Sequence, residues 1–140
     1  MSPQPSALGF RWEVRLLRNG STSRLVTILG LTFKENVPDV RNSKVVDIVS
    51  ELTSFGAIVQ VHDPLGAAHD VRREYGIELM ERDAIAPADA VVLAVPHNAY
   101  VAEGWRGVVP LLKNGRGIVI DIKARLDRTT KPEGIDLWRL

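Results

Sequence analysis

The chain of 140 residues has the length of a single globular domain, and its 45% apolar and 25% charged residues are ordinary for a folded protein. Lysine and arginine total 18 against 17 acidic residues, so the formal charge of +1 provides no basic field for binding a nucleic-acid backbone. There is no cysteine for disulfide or thiolate chemistry, no secretory signal, and no apolar run near the roughly 18 residues that span a bilayer, so we expect a cytoplasmic protein without membrane partners.

The first part of the chain differs in composition from the rest. Residues 1–24 mix Pro, Gly, Ser and Arg with no sustained period, which predicts a leader or linker before a domain over residues 25–140. This domain opens with LVTIL, a short apolar run rich in β-branched residues and followed by Gly30. Such a run is typical of a strand buried on both faces.

A helical pattern comes next. Apolar side chains recur at spacings of three and four residues between residues 45 and 55. Asn42 or Ser43 is placed to cap the start of this segment, and Gly56 is placed to end it. The pattern predicts an amphipathic helix.

Strand and helix patterns then alternate to the end of the chain. The predicted strands are AIVQVHDP, IELM, DAVVLAVPH, GIVIDIKA and, at the sheet edge, IDLWRL. The predicted helices are GAAHDVRREYG and residues 98–113, the latter with a break near Gly104. Because each crossover must return the chain to the same end of the sheet, this alternation predicts an α/β fold. We expect a three-layer α/β/α sandwich with a Rossmann-like parallel sheet of five to six strands.

The loops at the carboxyl ends of the strands are the expected ligand-binding region of such a sheet. They cover residues 33–42, 63–64, 96–100 and 123–128. The first of them does not contain the G-x-G-x-x-G pattern that lets a backbone approach a pyrophosphate, because Gly30 is followed by the bulky Phe33. We therefore predict no ordinary dinucleotide site there.

The first loop instead offers Phe33, Lys34, Asp39 and Arg41. The aromatic ring suits packing against a base or sugar, and the two cations suit phosphate oxygens. Arg41 is able to form a two-point fork, and Asp39 is placed to orient it. The alternative is that Phe33 belongs to the core, Lys34 is solvated, and Asp39 and Arg41 form a surface ion pair.

The other loops offer further candidates, each with two interpretations. Asp63 stands where related folds hold a ribose, or it serves the turn that Pro64 begins. His97 contacts a ligand or, in the preferred interpretation, has a capping or solvent role. Two cations stand at or just after the end of the fifth predicted strand, GIVIDIKA. Lys123 is the better ligand candidate, and Arg125 is expected to be solvated.

Two other residue types are not assigned to a site. The three histidines show no metal-ligand spacing, so no metal site is predicted. Trp12, Trp105 and Trp138 are expected to be isolated packing or interface residues and not a stacking platform.

A longer motif surrounds the first loop. The segment GLTFKENVPDVRNS matches the pattern G-x-x-F-K-x-x-x-x-D-x-R-x-S, and the segments VHDP, ADAVVLAVPHNAY and DIKARLD agree in order further along. With these motifs, residues 24–140 resemble the C-terminal domain of the UDP-glucose and GDP-mannose dehydrogenase family. The segments LTFKENVPDVRNSKV and DIKARLD are most similar in sequence to bacterial members that oxidise UDP-N-acetylhexosamines for capsule or O-antigen polysaccharides.

The resemblance implies roles for individual residues. In this family the residues that match Phe33 and Lys34 contact the nucleotide sugar, and a basic residue that matches Lys123 contributes to the substrate site. The arginine that matches Arg41 reaches the NAD cofactor across an interdomain cleft. The resemblance therefore implies three substrate-binding residues, one cofactor-binding residue and no catalytic residue in this chain.

Family members also have parts that this sequence does not contain. These are an N-terminal domain that binds NAD, a central dimerisation helix, and a cysteine that forms a thiohemiacetal during two hydride transfers from C6. We therefore expect a UDP-sugar-binding domain that is inactive alone and does not bind NAD tightly by itself. Two hypotheses remain open: the chain works with a dehydrogenase N-terminal domain, or it is a stand-alone nucleotide-binding or self-associating module without turnover.

Overall fold

A computed structural model describes residues 24–139, and a sheet of five parallel strands forms the centre of this part of the chain. The strands are β1 (Leu25–Leu29), β2 (Ile58–His62), β3 (Ala90–Leu93), β4 (Gly117–Asp121) and β5 (Ile135–Arg139). Their order across the sheet is β2-β1-β3-β4-β5, and every neighbouring pair is parallel. The predicted leader over residues 1–24, including Trp12, lies outside the described residues except for Arg24.

Helices cover both faces of the sheet. They are α1 (Val45–Ser54), α2 (Ala68–Tyr75), α3 (Asn98–Glu103) and α4 (Trp105–Val108). Ile48 of α1 and Val71 of α2 pack with Ile28 of β1 in one core cluster. Tyr100 of α3 and Val108 pack in a second cluster on the opposite face. The predicted three-layer sandwich is therefore confirmed.

One predicted strand is wrong. The segment IELM forms a single parallel bridge, in which Leu79 pairs with Val61, and one hydrogen bond from Met80 N–H to the Val61 oxygen. It does not extend along β2 because the chain turns into a short 3₁₀ segment at Arg82–Ala84. The sheet therefore has the lower of the two predicted strand numbers within residues 24–139.

The predicted helix over residues 98–113 is confirmed in its first half. A break at Gly104 separates α3 from α4, as expected. After Val108 the chain continues as 3₁₀ turns, because Pro110 has no N–H to extend an α-helix. Ser43 also supplies the expected hydrogen bond at the start of α1, since its hydroxyl oxygen accepts from Val45 N–H at 3.2 Å.

No helix in residues 24–139 combines the length and the apolar character that crossing a membrane requires.

The sheet topology determines where ligand loops meet. β1 lies between β2 on one side and β3 on the other, so the chain leaves β1 in one direction and returns to β3 in the other. This change of direction opens a crevice at the carboxyl ends of the strands. The loops that follow β1, β2, β3 and β4 all begin at this edge, as the sequence predicts.

Gly30 closes β1 in a way that only glycine permits. Its φ is +95°, and an added Cβ would lie 2.6 Å from both the Cβ and the carbonyl oxygen of Val95. The loop after β3 therefore packs directly on the backbone of Gly30. A ligand pyrophosphate has no space at this glycine, in agreement with the missing glycine-rich pattern.

Gly30→Ala is expected to destabilise the domain in two ways: through the strain of a positive φ and through the clash of the new Cβ with Val95. A comparison with Gly56→Ala separates them, because Gly56 has almost the same φ, +94°, with no atom within 4 Å of an added Cβ. Overpacking costs about 1–3 kcal/mol, so Gly30→Ala is expected to lower the free energy of unfolding by about 2 kcal/mol more than Gly56→Ala. Urea denaturation of the two variants measures this difference. Equal losses in both variants contradict the close approach at Val95.

Candidate functional site

Asp63 connects two of the loops at the carboxyl edge of the sheet. Its carboxylate Oδ2 accepts hydrogen bonds from Leu31 N–H at 2.6 Å and from Thr32 N–H at 3.0 Å. Oδ1 accepts from Leu65 N–H at 2.8 Å and from Gly66 N–H at 3.0 Å. The carboxylate thus fixes both the turn after β2 and the start of the loop after β1. Its oxygens are directed at backbone amides, which supports the turn interpretation and not a ribose contact.

The surroundings of Asp63 favour its ionised form. Burial by itself raises the pKa of this carboxyl group, because a charge is poorly solvated in the interior. The hydrogen bonds from His97 and from the amides of Leu31, Thr32 and Leu65 outweigh burial, and the pKa of Asp63 lies well below its ordinary value. Asp63 is therefore a fixed negative charge at the centre of the site.

His97 is buried against Asp63. Its Nε2 lies 3.0 Å from Asp63 Oδ2 and 3.2 Å from Thr32 Oγ1, and its Nδ1 accepts a hydrogen bond from Asn36 N–H at 2.9 Å. The residue is only 1% exposed, and its side chain makes no capping hydrogen bond to α3. The preferred prediction of a capping or solvent role is wrong, because partners from two other loops bury the ring.

The loop after β1 presents Phe33 and Lys34 outward. Phe33 is 49% exposed, so the alternative of a core position for this ring is wrong. The Phe33 N–H donates to the Asp39 carbonyl oxygen at 2.8 Å and closes the loop on itself. Lys34 is exposed as well. An exposed aromatic ring and an exposed cation therefore stand next to each other at the carboxyl edge.

One cleft brings together the three residues predicted to bind substrate. Phe33, Lys34 and Lys123 line a cleft of about 310 Å³, which we call the Lys34 cleft. The remaining lining residues of this cleft are Thr32, Glu35, Lys44, Val45, Asp47, Ile48, Glu51, Ala94, Val95 and Ile122. Its apolar residues come from α1 and the ends of β3 and β4, and its cations come from three different segments.

The sequence interpretation missed one cation and three acidic residues of the Lys34 cleft, and one of these, Glu35, directly follows Lys34. Lys44 stands at the start of α1, and Asp47 and Glu51 follow on the same helix. Burial, followed by the nearby Asp47 carboxylate, raises the pKa of the Glu51 carboxyl. Helical spacing was the available signal, because residues 44, 47 and 51 follow one another at three or four positions, and so lie on one face of α1 with the apolar Ile48. The cleft therefore combines cationic and acidic groups and is not uniformly basic.

Arg41 lies outside the Lys34 cleft. It lines a second, open cleft of about 490 Å³ together with Ser43, Glu74 and Tyr75. Its Nε and Nη2 donate to Asp39 Oδ1 and Oδ2 at 3.1 and 3.2 Å, so the two residues form the ion pair of the alternative interpretation, and Asp39 orients Arg41 as expected. The fork to phosphate oxygens stays a prediction. The hydrogen bond from the Arg41 side chain lowers the pKa of Asp39, and the Arg41 side chain remains 74% exposed. The guanidinium is thus held in one orientation but accessible.

A second buried aspartate fixes the loop that contains Lys123. Asp121, at the end of β4, accepts hydrogen bonds from Arg125 N–H at 3.0 Å and Leu126 N–H at 2.7 Å. Between them, Ala124 has a φ of +55°, a conformation that non-glycine residues rarely adopt. The loop therefore has a defined shape. The Arg125 side chain is exposed and does not line the Lys34 cleft, as expected.

The two tryptophans within residues 24–139 are packing residues, as predicted. Trp105 packs against the second core cluster, and its Nε1–H donates to the Asp127 carbonyl oxygen at 2.8 Å. Trp138 packs against the first core cluster. Neither lines the Lys34 cleft.

Three comparisons relate the chain to known proteins. The model for the UDP-glucose/GDP-mannose dehydrogenase family, UDP binding domain, matches residues 27–128. UDP-N-acetyl-D-glucosamine 6-dehydrogenase of Salmonella typhi is 43% identical over 98 residues, which cover 70% of this chain and 23% of that protein. The enzyme of the same name from Pseudomonas aeruginosa is 41% identical over 102 residues, with coverages of 73% and 24%.

A solved structure shows the same fold. The NDP-N-acetyl-D-galactosaminuronic acid dehydrogenase from Methanosarcina mazei Go1 superposes with a TM-score of 0.75 at 21% identity, over 92% of this chain and 27% of that one. The chain thus spans about a quarter of the length of each of these relatives.

Asp63→Asn is expected to lower the free energy of unfolding by about 2–3 kcal/mol at pH 7, because the amide leaves buried N–H donors without an acceptor. The folded-state pKa of Asp63 lies below the ordinary value of 3.8. Its charge therefore stabilises the native state above about pH 4, and this stabilisation is lost as the pH falls toward the folded-state pKa. Urea denaturation at pH 7 and pH 3 should show the gap between wild type and variant narrowing at pH 3.

The control for this comparison is Asp70→Asn, which removes only an exposed ion pair with Arg73. Such pairs contribute roughly 0–1 kcal/mol, so its stability should stay close to wild type at pH 7. A pH-independent gap between wild type and Asp63→Asn contradicts an ionised, stabilising Asp63.

Proposed function

Since this chain belongs to the UDP-glucose/GDP-mannose dehydrogenase family, as its UDP-binding C-terminal domain, we propose that the Lys34 cleft binds the uridine diphosphate part of a nucleotide sugar. The observation that supports this proposal most directly is that Phe33, Lys34 and Lys123 line one cleft. They come from the ends of two different strands, β1 and β4, and the parallel sheet brings them together.

The chemistry of the cleft suits a nucleotide diphosphate. The ammonium groups of Lys34 and Lys123 neutralise phosphate charge, and the half-exposed ring of Phe33 packs against the base or sugar. The apolar residues of α1 and β3 give the ligand a surface that excludes water. At about 310 Å³ the cleft lies at the lower end of the roughly 300–1,000 Å³ typical of small-molecule sites. It therefore accommodates part of a nucleotide sugar, and the sugar extends beyond it.

The acidic residues of α1 give their part of the cleft a negative charge, in contrast to the positive charge of Lys34 and Lys123. Ionised carboxylates only accept hydrogen bonds, so Asp47 and Glu51 pair with donors and repel phosphate. Both follow Lys44 along α1, Asp47 in the first turn of the helix and Glu51 one turn further along. We propose that the diphosphate lies toward Lys34 and Lys123 and that hydroxyl or N–H groups of the nucleoside lie toward the two carboxylates.

Arg41 has a separate role in this proposal. Its accessible guanidinium, oriented by Asp39, contacts the NAD cofactor that a neighbouring domain holds in the complete enzyme. The loop after β1 does not have the geometry of a pyrophosphate-binding loop, because Val95 fills the space at Gly30 and α1 starts only at Val45. A pyrophosphate-binding loop requires a free glycine backbone and a helix that follows directly.

In the complete enzyme, the bound nucleotide sugar would be oxidised at C6 from the alcohol to the carboxylate. Two NAD molecules would accept the two hydrides, and water would supply the second carboxylate oxygen. The residues of this chain do not react in that proposal. They hold the diphosphate and thereby position the sugar against the domain that supplies NAD and the cysteine nucleophile, which contributes to the rate by orientation. The product is a UDP-linked uronic acid.

The proposal is tested by isothermal titration of the purified chain with UDP, for wild type and Lys34→Ala. Saturable binding is expected in wild type. Lys34→Ala should weaken it at least about tenfold, because a charge-assisted hydrogen bond to phosphate contributes about 1.5–3 kcal/mol. Lys123→Ala should weaken it in the same direction.

Arg106→Ala is the matched control, since Arg106 is an exposed cation of α4 on the opposite face of the sheet. It removes the same charge without touching the Lys34 cleft and should leave the affinity unchanged. An absence of saturable binding at millimolar UDP, or equal weakening in Lys34→Ala and Arg106→Ala, contradicts the proposed site.

A further inference from the structure

We propose that His97 is the positioning residue of the nucleotide site, and that its buried imidazole holds the loop that presents Phe33 and Lys34. This inference rests on the proposed UDP binding at the Lys34 cleft. His97 is 1% exposed and is not among the residues that line the cleft, so it does not contact the ligand. The hydrogen bonds of its imidazole all go to the carboxylate of Asp63 and to the loop after β1.

The hydrogen bonds fix which ring nitrogen carries the proton. A backbone N–H only donates, so His97 Nδ1 must accept from Asn36. The neutral ring then carries its proton on Nε2, which donates to Asp63 Oδ2 at 3.0 Å. The neighbouring Thr32 hydroxyl donates to the Lys34 carbonyl oxygen at 3.0 Å, and its oxygen faces the same Nε2–H at 3.2 Å. The ring therefore reaches the backbone of Lys34 through one hydroxyl group.

The loop is held on both sides of Lys34. On the near side, Thr32 is bonded to Asp63 and His97. On the far side, Asn36 adopts a φ of +64°, and its side chain exchanges two hydrogen bonds with Asn98 at the start of α3. His97 and Asn98 are consecutive residues, so the loop after β3 anchors both sides.

This arrangement affects affinity through preorganisation. A flexible loop must lose conformational freedom when it closes on a ligand, and that cost reduces the binding free energy. The hydrogen bonds of His97 and Asn98 to Thr32 and Asn36, which we call the latch, fix residues 32 and 36. The short stretch between them therefore already presents Phe33 and Lys34 before UDP binds. Loss of the latch at Asn36 should therefore weaken UDP binding even though every residue of the cleft is unchanged.

Two substitutions of His97 separate its two nitrogens. In His97→Asn the amide oxygen takes the place of Nδ1 and keeps the acceptor for Asn36 N–H, but the donor to Asp63 is lost. In His97→Gln the amide nitrogen takes the place of Nε2 and keeps the donor to Asp63, but the acceptor for Asn36 is lost. Both variants lose a buried ring, so both should lower the melting temperature.

The discriminating measurements are hydrogen exchange at the Asn36 amide in the absence of ligand and UDP affinity by titration. His97→Gln should expose the Asn36 amide to exchange and weaken UDP binding about tenfold. His97→Asn should retain slow exchange and stay within about threefold of wild type. A role in stability alone does not produce this split between two variants that share the loss of the ring.

A third variant acts on the exposed part of the latch. Asn36→Gly keeps the left-handed backbone and removes both bonds to Asn98, without a change in the buried core. It should weaken UDP binding several-fold and lower the melting temperature less than either His97 variant, which keeps the test decisive if His97→Gln does not fold.

The outcomes distinguish the two proposals. Equal Asn36 exchange and equal UDP affinity in the Gln and Asn variants overturn the positioning role. If wild type does not bind UDP, the proposed function fails, and the exchange measurement alone decides whether His97 holds the loop.

Discussion

The buried carboxylate of Asp63 is the interaction on which the carboxyl edge of this domain depends. Four backbone amides and one imidazole donate to its two oxygens, so the charge is satisfied although the side chain is buried. A buried charge without such donors is strongly unfavourable. The loops after β1, β2 and β3 must therefore keep their mutual positions for the native state to be stable. Asp121, the last residue of β4, fixes the loop after β4 in a similar way, by accepting hydrogen bonds from two of its amides.

Much of the fold could be predicted from the sequence because its signals are local. The apolar, β-branched runs of β1 and β3 identify strands buried on both faces, and the three- and four-residue spacing of Val45, Ile48 and Leu52 identifies α1. The parallel sheet follows from the alternation of these patterns. The prediction of a strand at IELM is wrong because pairing along a sheet edge depends on the path of the chain that follows. Here the chain turns away from β2 after one bridge.

The candidate site could be predicted only in part. Convergence of Phe33, Lys34 and Lys123 follows from topology, since the loops at one sheet edge must meet. The burial of His97 could not be predicted, because its partners Asp63 and Asn36 stand 34 and 61 residues away in the sequence. Arg41 belongs to the same loop as Lys34, yet it lines a different cleft. The direction in which a loop side chain points depends on the hydrogen bonds within the loop. The spacing of residues in the sequence does not specify those bonds.

The residues that fix the loops are different from the residues that line the Lys34 cleft, and this separation has an evolutionary consequence. Among residues 24–139, Asp63, His97 and Asp121 take part in many of the hydrogen bonds that shape the loops. No hydrogen bond of a Phe33, Lys34 or Lys123 side chain is among the bonds described for these loops. Substitution of an exposed side chain outside such networks changes stability little. The residues that face the ligand are therefore free to diversify while the buried anchors preserve the scaffold, so the same domain can acquire a new ligand preference without first losing its fold.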